Sequence, residues 1–314
     1  MSHKFRFGVQ VSGEASDAPA SAWTDQARRI EDLGYATLHM PDHFVDCRLA
    51  PMPAMAMAAA VTTTLRVGAL MFDNDYKHPA ILAKEMATID ELTGGRCELG
   101  IGAGWMKTDY DALGLPYDTP GVRIARLDEA LQVIKGCWAE GPFSFKGEHY
   151  EISEYDSMPK PVQKPGPPIL IGGGGPKVLR LAGREADIVG INPNLRAGAV
   201  TTDAAASASK AETIKKLGWI REGAGDRFDS IELQIRYFVC AITDDAMGFA
   251  TAVAPGFDST PEEVLGSGAA LLGTIPEMID QLAQRREEWG VTNIVVGGDN
   301  YVEFAPVVAA LAGT

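Results

Sequence analysis

Short apolar runs alternate with amphipathic helical stretches along almost the whole chain, and no other feature restricts the fold as strongly. A polypeptide patterned this way builds parallel βα units, because a helix packed on the sheet must return each strand to the same edge. Eight strand candidates can be counted, at residues 5–11, 36–41, 66–71, 97–102, 168–172, 187–192, 231–242 and 293–297. The stretches at 169–171 and 294–296 lack polar alternation, the pattern of strands buried on both faces. Between strands, Trp23, Ala27, Ile30 and Leu33 share one helical face, as do Ile124, Leu127, Leu131, Ile134 and Trp138. Eight units with both strand faces covered predict an α/β fold closed into a (β/α)8 TIM barrel. An open doubly wound sheet also uses βα units, but it carries a phosphate loop after its first strand. Here that position reads VSGEASDAPAS, not GxGxxG.

Barrels of this size fold as one unit, so residues 1–314 are expected to form a single domain. The stretches 141–167 and 197–227 interrupt the regularity and read as loop insertions over the C-terminal face of the barrel, where they would cover a site. Hydrophobic residues make up 46% of the chain and charged residues 22%, enough to bury a large core in a water-soluble body. A formal charge of -14 repels phosphate backbones and anionic lipid, which argues against nucleic acid and membrane as partners. Cys47, Cys97, Cys137 and Cys240 lie far apart, fitting neither a zinc site nor a disulfide framework, and no metal site is expected from the histidine spacing. The opening residues run straight into a strand pattern, and a cytoplasmic protein is expected.

Three clusters carry candidate chemistry. In ILIGGGGPKVLRLAG a buried strand ends in Gly172, Gly173, Gly174 and Gly175, and a helix starts at Pro176. Backbone N–H groups freed of side chains at a helix N-terminus suit a phosphate, although a tight βα turn also uses glycine. In ELGIGAGW, Gly100, Gly102 and Gly104 precede Trp105, giving either backbone access for a ligand or relief of crowding between strands. Asp42, His43 and Phe44 follow the second strand, where a barrel displays catalytic groups, although a lone histidine also serves structure. His78 precedes Pro79 and reads as a helix cap, and His39 and His149 carry less weight.

The ordered set PDHF, HPAILAKEMATIDELTGGRCELGIGAGW and PILIGGGGPKVLRLAGREADIVG resembles the bacterial-luciferase-like superfamily over nearly the whole chain. With the ending LLGTIPEMIDQLAQRREEWGVTNIVV, the resemblance is nearest to its coenzyme F420-dependent oxidoreductase branch, while FMN-using relatives share GIGAGW and the glycine loop. The resemblance implies a cofactor-binding set of Asp42, Leu70, Met71, Gly102, Ala103, Gly104, Trp105, Gly173, Gly174, Gly175 and Pro176. Within it, Leu70 and Met71 match a non-prolyl cis peptide behind the ring, and the glycine loop matches the phosphate site. His43 is implied as the catalytic residue. A homodimer is implied as well, with PMPAMAMAAAV as a packing face or, equally, an ordinary core helix.

The sugar-phosphate dehydrogenases of this branch carry a glutamate at the position of Trp105, which argues against that reaction here and for an apolar pocket wall. The leading expectation is an F420-dependent oxidoreductase moving a hydride to or from a small organic substrate. An FMN-dependent monooxygenase and a non-catalytic flavin-binding barrel are the alternatives. Lys160, Lys164, Lys177 and Arg184 flank the glycine loop and would form a basic strip for the acidic tail of F420, unless they are solvated surface charges.

Overall fold

The computed structural model describes residues 3–12, 21–45 and 47–314. Eight parallel strands close into a barrel: β1 (Arg6–Gln10), β2 (Thr37–Met40), β3 (Arg66–Ala69), β4 (Cys97–Gly102), β5 (Ile169–Gly173), β6 (Ile188–Ile191), β7 (Glu232–Tyr237) and β8 (Val291–Gly297). Each pairs in chain order with the next, and β8 closes on β1 with Ile294 opposite Phe7. Strands β2 and β6 are buried at every residue, so IVGI of β6 shows no polar alternation, while β2 buries Thr37 and His39 alongside Leu38 and Met40. Helices cover the outside as the sequence pattern predicts. Trp23, Ala27 and Ile30 of helix Ala22–Asp32 are buried, as are Leu127, Leu131, Ile134 and Trp138 of helix Pro120–Trp138.

Closure crowds the interior. A Cβ built on Gly100 would collide with the Ala69 carbonyl oxygen of the neighbouring strand, so at this glycine inter-strand contact is the reason for the residue. At the N-terminal end of the barrel the filling is ionic. Arg6 pairs with Glu98 and, at 2.7 Å, with Glu232, and Arg66 donates to Glu98 at 2.9 Å. Burial works against the charge on Glu98, but Arg6 and Arg66 together outweigh it and hold the carboxyl below the usual range. Removing one partner from such a buried cluster costs about 3–5 kcal/mol, because the charge left behind has no compensation. His39 lies fully buried in the barrel, and burial lowers it to about 4, which keeps its ring neutral.

Three sequence expectations need correction. The seventh strand was expected over 231–242, but it stops at Tyr237. Phe238 and Val239 both donate to Ala269 O, turning the chain into a separate parallel pair, Val239–Ile242 with Ala270–Gly273. Residues 141–167 do not cover the C-terminal mouth. They lead from the end of a helix to the start of a strand, and they form the hairpin Phe143–Lys146/Glu151–Tyr155 along helix Pro120–Trp138, where Glu129 accepts from the N–H groups of Glu148, His149 and Tyr150. The stretch 197–227 is only partly an insertion, since it contains helix Lys210–Ala224, which packs beside helix Pro176–Glu185.

Gly100→Ala is expected to destabilise the barrel, because extra volume in a packed interior typically costs about 1–3 kcal/mol and here the neighbour is backbone. Thermal unfolding should show a lower midpoint for this variant. Gly218→Ala, inside a helix where the added Cβ meets no neighbour, serves as the control and should melt at or slightly above wild type.

Candidate active site

All eight strands contribute to one cavity of about 810 Å³ at the C-terminal end of the barrel. Gln10 comes from β1, Asp42 and His43 follow β2, Leu70 and Met71 follow β3, and Gly102 to Trp105 end β4. Gly172 to Gly175 follow from β5, Asn192 to Arg196 from β6, Arg236 from β7 and Gly298 from β8. The residues expected from the sequence therefore meet in one place. Pro176 alone stands back, as the first residue of helix Pro176–Glu185. The Leu70–Met71 peptide is cis, as the resemblance implies. Gln10 Nε2 donates to Leu70 O at 2.6 Å, and Leu70 N donates to Met40 O at 2.7 Å, so β1 and the neighbouring β2 both hold this segment.

His43 is held from behind by Asp109, a residue the sequence reading missed. Its Nδ1 lies 2.7 Å from Asp109 Oδ2, while Asp109 Oδ1 accepts from Phe44 N at 3.0 Å and Val45 N at 2.9 Å. Burial favours the neutral acid, but the His43 bond and the two N–H groups hold the Asp109 carboxyl below the usual range. An ionised Asp109 can only accept, so Nδ1 carries a proton and Nε2 is left for a bound molecule. Trp105 packs edge-on against the imidazole, with ring centroids 5.4 Å apart. Asp109 sits four residues past Trp105, in helix Lys107–Leu113, a spacing that carries no recognisable motif.

A second carboxylate group lies beside it. Asp42 Oδ2 accepts from Asp73 N at 3.1 Å, and Tyr110 Oη lies 2.9 Å from both Asp73 Oδ2 and Asp75 Oδ2. One phenolic hydrogen serves only one of these carboxylates at a time. Arg126 pairs with Asp75 at 2.8 Å, leaving Asp73 without a cation. Burial raises Asp73 to about 7 and Asp42 to about 6.

The opposite wall carries an open glycine turn and a cation, though arranged differently from the sequence expectation. A Cβ on Gly172 would press on Met71 and Asn192, one on Gly173 on Val178, and one on Gly174 on the Pro193 carbonyl. Three of the four glycines thus serve packing, and only Gly175 opens onto free space. Gly175 precedes Pro176 with no side-chain cap, leaving first-turn N–H groups for a ligand. Arg123, 2% exposed, lines the same cavity with Nε and Nη1 unpartnered, its guanidinium 4.1 Å from the centre of the Tyr117 ring.

The expected basic strip is not formed. Lys160 pairs with Asp156, Lys164 with Glu140, and Arg184 with Asp128 and Glu185. Lys177 has no ion pair among the described residues, but it does not line the cavity. The cations that do are Arg123, Arg196 and Arg236, so the cavity wall is not simply apolar.

A parallel barrel whose strand ends surround a cavity, with a histidine–carboxylate pair on one wall and an open glycine turn at a helix N-terminus on the other, places these groups where barrel enzymes carry their active sites. The sequence model of the luciferase-like monooxygenase family matches residues 1–247, and the chain belongs to that family. It is 36% identical over 135 residues to the FMNH(2)-dependent dimethylsulfone monooxygenase of Pseudomonas putida, spanning 43% of this chain but only 37% of that relative. It is 30% identical over 252 residues to the F420-dependent glucose-6-phosphate dehydrogenase of Nakamurella multipartita, covering 76% of this chain and 68% of that one. In structure it resembles the coenzyme F420 dependent tetrahydromethanopterin reductase of Methanopyrus kandleri, with a TM-score of 0.76 over 99% of both chains at 20% identity.

A carboxyl whose folded pKa lies above its unfolded value binds its proton more tightly in the folded state. Its stabilising contribution is complete in acid and is lost as pH rises through the folded value. Asp73 and Asp42 therefore lower stability between about pH 4 and the raised values of about 6 and 7. Asp73→Asn mimics the protonated acid, so its melting temperature relative to wild type should climb from about pH 5 to about pH 8. A difference independent of pH over that interval contradicts the assignment.

Proposed function

We propose that the chain is an F420-dependent oxidoreductase that moves a hydride between the bound deazaflavin and a small organic substrate. The observation that carries this reading is the pairing, in one cavity, of a histidine fixed by a buried carboxylate with an anion cradle across from it. The residues present fit the cofactor. The Gly175 turn and the buried, unpartnered Arg123 would hold its phosphate, while Asp42, the Leu70–Met71 segment and Gly102 to Trp105 would border its ring. When bound, the deazaflavin supplies the two-electron carrier at the ring.

The chain itself positions and protects. Asp109 keeps the His43 proton on Nδ1, so Nε2 accepts the proton of a substrate hydroxyl as it is oxidised, or returns it in the reverse direction. Trp105 limits the rotation of that ring, and cavity walls drawn from all eight strands hold substrate and ring in a near-attack arrangement. The preference for F420 rests on the match to an F420-dependent relative over 76% of the chain and on the PDHF and C-terminal segments. By the same resemblance the proposal includes a single-domain, cytoplasmic homodimer. Helix Pro51–Ala60, with Met57 52% exposed, would be its packing face.

A second reading, an FMN-dependent monooxygenase, is favoured by the 36% identical stretch shared with the Pseudomonas putida enzyme. Reduced FMN activates dioxygen and reduced deazaflavin does not, so oxygen consumption with each reduced cofactor separates the two. F420-linked turnover without oxygen uptake is expected.

Two substitutions test the roles. His43→Ala should lower turnover by about 10²–10⁴-fold, the usual worth of a positioned acid–base group, with little change in cofactor affinity. Weakened binding with unchanged turnover would make His43 a binding residue. Gly175→Asp introduces a carboxylate where a side chain meets no neighbour, so it should weaken cofactor binding without lowering the melting temperature. Unchanged affinity for F420 and FMN would remove the phosphate from this turn.

A further inference from the structure

The cofactor-binding reading leaves two cations of the cavity unused, the exposed Arg196 and the half-buried Arg236. Arg236 lies near the end of β7, and the cavity around it continues to Gly298 after β8 and Gln10 and Ser12 after β1. In a closed ring of eight strands this sector faces away from the Gly175 turn after β5, which the phosphate would occupy. Arg236 is therefore placed on the part of the cavity that remains for substrate.

Its surroundings are unusual for an arginine. Among the described residues no carboxylate pairs with it, and its Nε is buried without a hydrogen-bond partner. Its guanidinium stacks 4.4 Å from the centre of the Phe238 ring, and Phe238 also lines the cavity. Burial alone lowers it to about 10. Gly297 makes room for it, since a Cβ there would stand 2.7 Å from Nη2. Arg236 is half-buried with its Nε fully enclosed. A cation partly removed from water without a counter-charge costs stability, and a guanidinium seated over an aromatic ring keeps edge donors available for a two-oxygen acceptor.

We propose that Arg236 is the docking point for an oxyanion on the substrate, so that the enzyme acts on an organic molecule bearing a carboxylate, sulfonate or phosphate. The inference rests on the oxidoreductase reading for its use of the word substrate, but the anion site stands on the geometry of the apo chain. Docking the oxyanion at Arg236 seats the rest of the molecule between Phe238 and the His43 wall. It departs from the apolar pocket wall expected from the sequence. The signal was present in the sequence as the alternation of Glu232, Gln234 and Arg236 with apolar residues in IELQIRYFV, which sets all three on one face of the strand.

The test uses the full chain without cofactor, titrated calorimetrically with benzoate, benzenesulfonate and phenyl phosphate, and with benzamide as the uncharged counterpart. At least one anion should bind more tightly than benzamide by about tenfold or more, the size expected of a charge-assisted pair, and which one binds best identifies the headgroup. Arg236→Met should abolish that preference while leaving benzamide unchanged, and Arg236→Lys should keep part of it. The Met variant should also melt at or above wild type, because it removes a half-buried charge that has no carboxylate beside it among the described residues.

Equal anion affinity in wild type and Arg236→Met overturns the proposal, as does the absence of any anion preference in wild type. A lower melting temperature for Arg236→Met with no loss of anion binding makes the side chain a structural partner of Phe238. Titrating F420 and FMN in parallel keeps the two claims apart. Cofactor affinity that falls in Arg236→Met assigns the arginine to the cofactor and sinks the substrate role. A wild-type chain that binds anions through Arg236 but neither cofactor sinks the oxidoreductase reading and leaves the anion site standing.

Discussion

Closing eight parallel strands into a ring removes every free sheet edge and obliges the interior to be filled by side chains from all sides. The two ends of this barrel meet that obligation in opposite ways. At the N-terminal end Arg6, Glu98, Arg66 and Glu232 fill the interior with mutually neutralising charges. At the C-terminal end the filling stops short and leaves the cavity, bordered by a residue from every strand or the turn after it. The location of the site is thus a consequence of closure, and the ionic plug at the far end keeps the cavity from becoming a channel.

Electrostatics at the cavity follow from which charges are paired and which are not. Asp109 is satisfied by three hydrogen bonds and stays ionised, so it orients His43 as a fixed negative charge. Asp73 is also buried, but its desolvation and the neighbouring Asp75 and Asp42 carboxylates outweigh its hydrogen bonds, so its pKa is raised and it can hold a proton. Arg123 is buried and Arg236 half-buried, and neither has a carboxylate partner among the described residues. Such groups are expensive in an empty site, and anionic ligands offset that cost on binding. A chain with a formal charge of -14 thereby retains a cavity suited to anions.

Much of this was legible in the sequence because strands buried on both faces advertise themselves as unbroken apolar runs. Seven of the eight barrel strands fall within two residues of the expected ends. The site motifs were legible for a related reason, since Asp42, His43 and the Gly102 to Trp105 segment sit at strand ends, where a barrel exposes its chemistry. What stayed hidden depends on three-dimensional contact. Gly172, Gly173 and Gly174 look like a phosphate cradle, yet their neighbours are Met71, Val178 and Pro193. Asp109 acts through a helix 66 residues downstream of His43. The stretch 141–167 was expected at the mouth because long loops often are, but its place in the αβ order puts its origin at the other face.

The central claim is that the cavity binds a deazaflavin with its phosphate between the Gly175 turn and Arg123. Equilibrium titration of the wild-type chain and of Arg123→Met with coenzyme F420 and with FMN, read by the fluorescence of the cofactor itself, tests it most directly. The account predicts saturable F420 binding, tighter than that of FMN, and a loss of about tenfold or more when the guanidinium of Arg123 is removed. Tight FMN binding with no detectable F420 binding, or F420 affinity indifferent to Arg123, would contradict it.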